Sequence, residues 1–447
     1  MNVRGPLNAP SRTLLLPAAA LLAVTVLVAL RAGSVADTGG IGLQNAGPGT
    51  TAGLAVARFA NYLALTATAG FLLLAAVLLP ATPRLSTLGV AATRRAGIAA
   101  AMWAASALTL FAFGLSNVSA RPLPEALAPD LLARFATGRF GALTLAQAAL
   151  AMVVCVIAIA ARTPAAASAG LAIGALGALA PALWGHAGST QTLRLVAVAS
   201  DVVHLLGVAT WLGGLIALLW LASRHRDQDL GIPVRRFSRL AGWAVAALAV
   251  TGVMTTLLHV GAAEQLLDTT WGRLVLLKSA LFAALMWFAQ TQRRRALPAL
   301  AGPSRKPRAF RTLAVAEVGL MLVALGTATT MANGAPAEVE AANRISSVVT
   351  TLGDGQLNVT LDPAEVGSNE FHVYVLDDAG RQRPDAADAE ATLTSGSNEV
   401  TAELFVAGPG HWTTPALTLP APGDWQLRIT ALLDGEPATA TATITVR

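Results

Sequence analysis

The chain is short of charge, of thiols and of catalytic signatures. Charged residues make up 13% of its 447 positions, whereas hydrophobic residues reach 54% and the mean hydropathy is +0.59. A globular domain carries about twice that share of charge, so a purely soluble enzyme, a disordered chain and a collagen-like repeat are all excluded in favour of a membrane protein. The single cysteine, Cys155, lies in an apolar stretch. An intramolecular disulfide and a thiolate metal cage are therefore both ruled out. Walker loops and the GxSxG, HExxH and CxxC patterns are missing too, which removes support for an ATP-driven pump or a hydrolase, and no enzymatic activity is expected.

Acidic residues are scarce in the first three quarters of the chain. Up to Pro336 there are 26 basic and 9 acidic residues, and beyond it 5 basic and 16 acidic, so the net charge of +6 is the remainder of +17 and −11. A basic membrane part joined to an acidic soluble part points to two compartments, with no nucleic-acid partner.

Apolar runs long enough to cross a hydrocarbon core lie near 14–30, 55–79, 96–116, 140–161, 168–185, 197–221, 238–260, 273–290 and 311–332. Alternate connections hold 18 basic residues, such as Arg84, Arg94, Arg95, Arg235, Arg236, Arg239 and Arg293, against six in the other set: Arg31, Arg121, Arg134, Arg139, Arg194 and Arg273. By the positive-inside rule this puts the N-terminus in the cytoplasm and the C-terminal segment outside. The first run also fits a cleaved signal peptide, since it comes after Arg4 and Arg12 and leads into small residues.

Beyond Pro336 period-2 alternation takes over, in Gln356–Leu361, Phe371–Leu376, Val400–Phe405 and Trp425–Thr430, separated by turn signals such as Gly353-Asp-Gly and Gly408-Pro-Gly. Short strands at this spacing predict a small β-sandwich. The expected architecture is an all-α polytopic membrane bundle of eight or nine transmembrane helices with a C-terminal extracytoplasmic all-β sandwich. Its parts are 1–54 (first helix or signal anchor with an outer loop), 55–335 (bundle) and 336–447 (sandwich).

Ionisable groups inside spans are expensive and are functional candidates by default. His186 closes the fifth run, His204 lies about 10 Å into the sixth, and His259 ends the seventh, so three helices bring their only histidines to one membrane face. Asp201, three residues before His204, shares its helix face and can ligate a cation or fix the imidazole tautomer. Imidazole with an optional carboxylate or thioether suits copper best, with zinc or iron next, and Met254 belongs only loosely with His259. Hydrogen bonding to a neighbouring helix is the plainer reading of any one of these histidines. Lys278 can snorkel, pair with a carboxylate such as Asp201, or repel cations. Glu317 reads either as part of an inner exit path or as a solvated interfacial carboxylate. Cys155 and Met152 are spaced for one face and fit either cuprous ion in transit or core filling. Gly170–Gly174 is a GxxxG match read as packing. His225 lies in a basic loop and reads as a solvated residue, whereas His372 and His411 fall in the sandwich as a candidate surface pair.

At Asp201-Val-Val-His-Leu-Leu-Gly-Val-Ala-Thr-Trp-Leu-Gly-Gly214 the chain resembles the copper resistance D family of bacterial inner-membrane proteins, and the similarity continues through Phe237-Ser-Arg-Leu-Ala, Thr251-Gly252 and Trp271-Gly-Arg-Leu-Val-Leu-Leu-Lys278. It covers about 55–332. The resemblance implies copper movement across, or copper handling at, the cytoplasmic membrane, and matches Asp201, His204, His259 and Lys278 to family positions. His186 comes from the topology alone. The tail, through Gly367-Ser-Asn-Glu-Phe-His-Val-Tyr, Gly410-His-Trp and Gly423-Asp-Trp, is similar to YtkA-like immunoglobulin-type domains found beside copper proteins. No methionine occurs after Met331, so a Met-rich copper loop is lacking there.

The resulting expectation is a copper-binding, copper-passing protein of the cytoplasmic membrane. Its partners are copper ion, the lipid bilayer and a periplasmic or extracellular copper chaperone. Neutral imidazole is needed for binding, so uptake is expected to weaken below about pH 6. Two alternatives stay open: an electron-transfer protein holding haem b between two of the histidines, and a copper sensor or assembly factor whose bundle is an anchor.

Overall fold

The structure is a computed structural model. It describes residues 46–80, 83–119, 121–185, 193–224, 230–291, 293–294, 307–333, 337, 346–362, 364–378 and 380–447. The first apolar run, 14–30, lies outside them. The described residues form two compact units, Ala46–Ala337 and Glu338–Arg447.

The first unit contains eight helices long and apolar enough to cross a membrane. The first is α1 (Pro48–Leu73) continued by a π-turn at Leu74–Leu78, and the second and third are α2 (Thr87–Ser119) and α3 (Arg139–Ala160). A fourth is split into α4 (Pro164–Leu176) and α5 (Leu179–Trp184). The fifth joins α6 (Arg194–Val208) through a π-turn at Ala209–Gly213 to α7 (Gly214–Arg224). The last three are α8 (Gly231–His259), α9 (Thr270–Thr291) and α10 (Pro307–Asn333). Most helices start earlier or end later than the apolar runs, because helical hydrogen bonding continues into polar flanks that hydropathy does not count.

Local chemistry sets several boundaries. Thr163 caps α4 by accepting from the Ala166 N–H at 3.2 Å, with Pro164 preorganised at the first helical position. The α4–α5 break sits at Gly177, where a Cβ would lie 2.3 Å from the Trp103 ring, and buried Gln147 donates to the Gly177 carbonyl at 3.0 Å. A backbone-to-backbone contact joins α1 to the π-turn: a Cβ on Gly70 would lie 2.0 Å from the Gly213 carbonyl oxygen, and one on Gly213 would lie 2.2 Å from that of Thr66. Small residues let backbones meet where lipid gives no hydrophobic push between helices. Around that contact Leu72, Leu74, Leu212, Leu215 and Leu218 are fully buried.

The second unit is an antiparallel sandwich. One sheet has the order β1 (Ser346–Leu352), β2 (Gly355–Asp362), β3 (Gly367–Leu376), β7 (His411–Leu419), β6 (Phe405–Gly408); the other runs β5 (Asn398–Ala402), β4 (Ala387–Ser395), β8 (Gly423–Leu433), β9 (Glu436–Val446). Inward residues alternate as expected, with Phe371, Val373, Trp412, Trp425, Leu427 and Ile429 in the core. Val400–Phe405 is not one strand. The chain leaves one sheet after Ala402 and enters the other at Phe405, with β5 paired to β4 and β6 to β7.

Arg383 ties three loops at one end. Its side chain is 11% exposed and pairs with Asp354, with Asp385 at 2.6 Å and with Asp434 at 3.1 Å. The hydrogen bond from Arg383 holds the Asp385 carboxyl below the usual carboxylate range. A depressed folded pKa contributes stability that is complete above the unfolded value, about 4, and is lost as pH falls through the folded one. The sandwich transition in thermal scans should therefore decline as pH drops below about 4, and Arg383→Gln should flatten that decline. An unchanged slope would remove this role.

Candidate metal site in the membrane bundle

On α8 the buried positions Phe237, Ala241, Ala244, Leu248, Thr251 and His259 recur at intervals of three, four and eight, forming one inward stripe. Trp243, Val250, Val253 and Leu257 occupy the opposite, exposed face. The apolar pattern that seats α8 thus also turns Thr251 and His259 inward. On α6, Ser200 and Gly207 mark the packed face, with His204 between them. Ser200 donates to the Thr251 carbonyl at 3.4 Å and His204 Nδ1 meets Thr251 Oγ1 at 2.9 Å, locking α6 to α8 at this depth.

The hydrogen bonds assign both imidazoles. Thr251 Oγ1 gives its proton to the Ala247 carbonyl at 2.7 Å, so His204 Nδ1–H is the donor to Thr251 and the lone pair of the neutral ring sits on Nε2. His259 Nδ1 lies 2.8 Å from the Thr255 carbonyl, which only accepts, and its lone pair is likewise on Nε2. His259 is 7% exposed, and its ring stacks on Trp271 of α9 with centroids 5.7 Å apart.

Four of the residues singled out in the sequence share this region. Asp201 interacts electrostatically with His259 and Lys278, and His204 with Lys278. Two further groups come from α1, which sequence reasoning passed over: Tyr62 interacts with Asp201 and with Arg58. The Arg58 guanidinium donates to the Ala332 carbonyl at the end of α10 at 2.5 Å. A lone arginine near the start of the apolar run 55–79 was the available signal. Among the described residues no three His, Cys, Asp or Glu side chains close on one point.

Other candidates fall elsewhere. Met254 lies on the exposed flank of α8. Glu317 is not solvated: it is 2% exposed and accepts the Trp211 indole N–H at 2.8 Å, seven residues deeper than His204. Cys155 is buried but Met152 is half exposed, so they do not present a joint soft site. Gly170 packs its face against Ile157 and Leu72, as the GxxxG spacing implied. His186 and His225 lie outside the described residues. His372 and His411 do meet, in the sandwich, with ring nitrogens 3.2 Å apart.

Comparison with known proteins bears on both halves of the bundle. Residues 48–194 match the family model described as copper resistance protein D-like, N-terminal domain, and residues 233–331 match copper resistance protein D. Asp201 and His204 fall between the two matched stretches. The copper transport protein CutJ of Bacillus subtilis is 26% identical over 269 residues, 57% of this chain and 47% of that protein. The inner membrane protein YebZ of Escherichia coli is 34% identical over 98 residues, 21% of this chain and 33% of that protein. The chain thus spans half or less of the length of these curated relatives. No solved structure matches. With eight helices among the described residues long and apolar enough to cross a membrane, and the two family models covering more than half of its length, the chain is a multi-pass membrane protein that belongs to the copper resistance protein D family.

Proposed function

We propose that the bundle binds copper at the end carrying His259, through Nε2 of His204 and His259, and passes the ion across the cytoplasmic membrane. The observation that carries this reading is the paired tautomer: Nδ1 of each ring is committed to a threonine oxygen, so both neutral rings keep Nε2 as the ligating atom. Asp201 supplies negative charge beside them, and Lys278 balances that charge in the absence of cargo. His186, two residues beyond α5, is the proposed third ligand. Two imidazoles and a carboxylate without thiolate suit an ion that must arrive and leave. The loop charges orient this end to the extracytoplasmic side, and an interior-negative potential then favours inward passage by about 2.3 kcal/mol per charge per 100 mV.

The test is cellular copper accumulation together with metal content and an absorption spectrum of the purified protein. The double variant His204→Ala/His259→Ala is expected to accumulate no more copper than cells lacking the protein, while wild-type protein binds copper and is colourless apart from it. Normal accumulation by the double variant removes the model, and a Soret band replaces it with the haem reading.

A further inference from the structure

A second histidine pair stands on the solvent face of the five-stranded sheet, in the unit that the membrane reading does not use. Register puts Tyr374 opposite His411 and His372 opposite Thr413, so His372 and His411 are diagonal neighbours on one face of the β3–β7 pair. Their inward neighbours Phe371, Val373 and Trp412 fill the core, which turns both histidines outward. His372 Nδ1 and His411 Nε2 are 3.2 Å apart, and the rings are inclined by 27°. Tyr374 stacks on His411 at 4.2 Å and 16°. Glu370 stands 3.7 Å from the far nitrogen of His372, Nε2.

Two nitrogens at that separation either share one proton or flank one ion. With metal–nitrogen bonds of about 2.0–2.1 Å the angle at an ion between them is about 105°, within the range of tetrahedral and tetragonal centres. A linear cuprous site would need the nitrogens about 4 Å apart. The bent geometry therefore favours a divalent ion whose remaining positions are open to water. The rest of the arrangement suits ligation. A carboxylate beside His372 Nε2 favours the proton there and leaves the lone pair on Nδ1, facing His411. The backbone that presents His411 is fixed. Gly410 has φ +61°, a Cβ there would lie 2.6 Å from the Arg383 carbonyl oxygen, and its own carbonyl accepts from Val375 N–H at 2.8 Å. Across the sheet Thr360 pairs in register with His372; it is 5% exposed, and its hydroxyl has no hydrogen-bond partner among the described residues. A buried hydroxyl of this kind calls for a water, such as one completing the shell of an ion above it.

We propose that His372 and His411 form a two-histidine site for a divalent transition-metal ion, with Cu2+ bound ahead of Zn2+ and Ni2+ by the general order of stability for nitrogen ligands. The site stands on its own geometry and holds whether or not the membrane pair binds copper. Its test uses the full chain in detergent, in the His204→Ala/His259→Ala background, so that failure of the membrane reading leaves this result untouched. Titration with Cu2+ should give one bound equivalent whose electron paramagnetic resonance spectrum shows coupling to two imidazole nitrogens. His372→Gln and His411→Gln should each weaken binding by about tenfold or more. His372→Gln/His411→Gln together should abolish the signal, while the melting transition of the sandwich stays in place. Retention of the two-nitrogen spectrum in that last variant, or the absence of a bound equivalent before substitution, overturns the site. Tighter binding of Zn2+ than of Cu2+ overturns the assigned preference.

Discussion

Gly213→Val is expected to yield no monodisperse bundle from membranes, and Gly70→Val the same. A Cβ at Gly70 would fall 2.0 Å from the Gly213 carbonyl oxygen, and one at Gly213 would fall 2.2 Å from Thr66 O, so the clash is with backbone and no side chain can swing aside. Relief requires α1 and the 209–213 turn to separate, which opens the cluster of Leu72, Leu212, Leu215 and Leu218. Overpacking of a close-packed interior costs about 1–3 kcal/mol when side chains can adjust, and more when backbones must part. Gly252→Ala is the matched control, since nothing lies within 4 Å of a Cβ at that position. Size-exclusion profiles of the three variants decide the matter. A normal profile for Gly213→Val would show that the helices do not meet there.

Asp201→Asn should reduce copper accumulation on the order of a hundredfold. The carboxylate offsets the positive charge of Lys278. Removing one unit charge at about 6 Å, in an effective dielectric of about 20, changes a cation's energy by about 3 kcal/mol, which is that factor in occupancy. If charge balance is the cause, Lys278→Met in the Asp201→Asn background should recover much of the loss, because it removes the positive charge left uncompensated. Failure of the second substitution to restore any uptake would instead make Asp201 a direct ligand or a packing residue. No effect of the first would dismiss both roles.

The sequence disclosed the parts whose physics is local. Apolar runs marked the spans, and the three-residue spacing was enough to place Asp201 and His204 on one helix face. What escaped was set by neighbours. Arg58 was hidden because averaging over an apolar run absorbs one charge, yet it reaches Ala332 on the last helix. Glu317 looked interfacial from its position in its own run; only packing against Trp211 shows it buried. In the sandwich, β4 and β9 carry mainly alanine and threonine at their alternating positions. Strands with so few large apolar side chains lack the contrast that reveals period two. The break at Glu403–Leu404 was equally silent, since a strand that changes sheets keeps its local pattern.

The π-turn at Ala209–Gly213 has a consequence for how the fifth span is indexed. Such a turn amounts to one residue inserted into an α-helix, a rotation of about 100° between the segments on its two sides. The segment toward α7 is fixed by the backbone seat of Gly213 on Gly70, and α6 carries Asp201 and His204 toward α8. Were the span α-helical throughout, the same seat would turn both residues about a quarter of a circle away from Thr251. One extra residue therefore sets the angular phase of the chemistry independently of the phase of the scaffold.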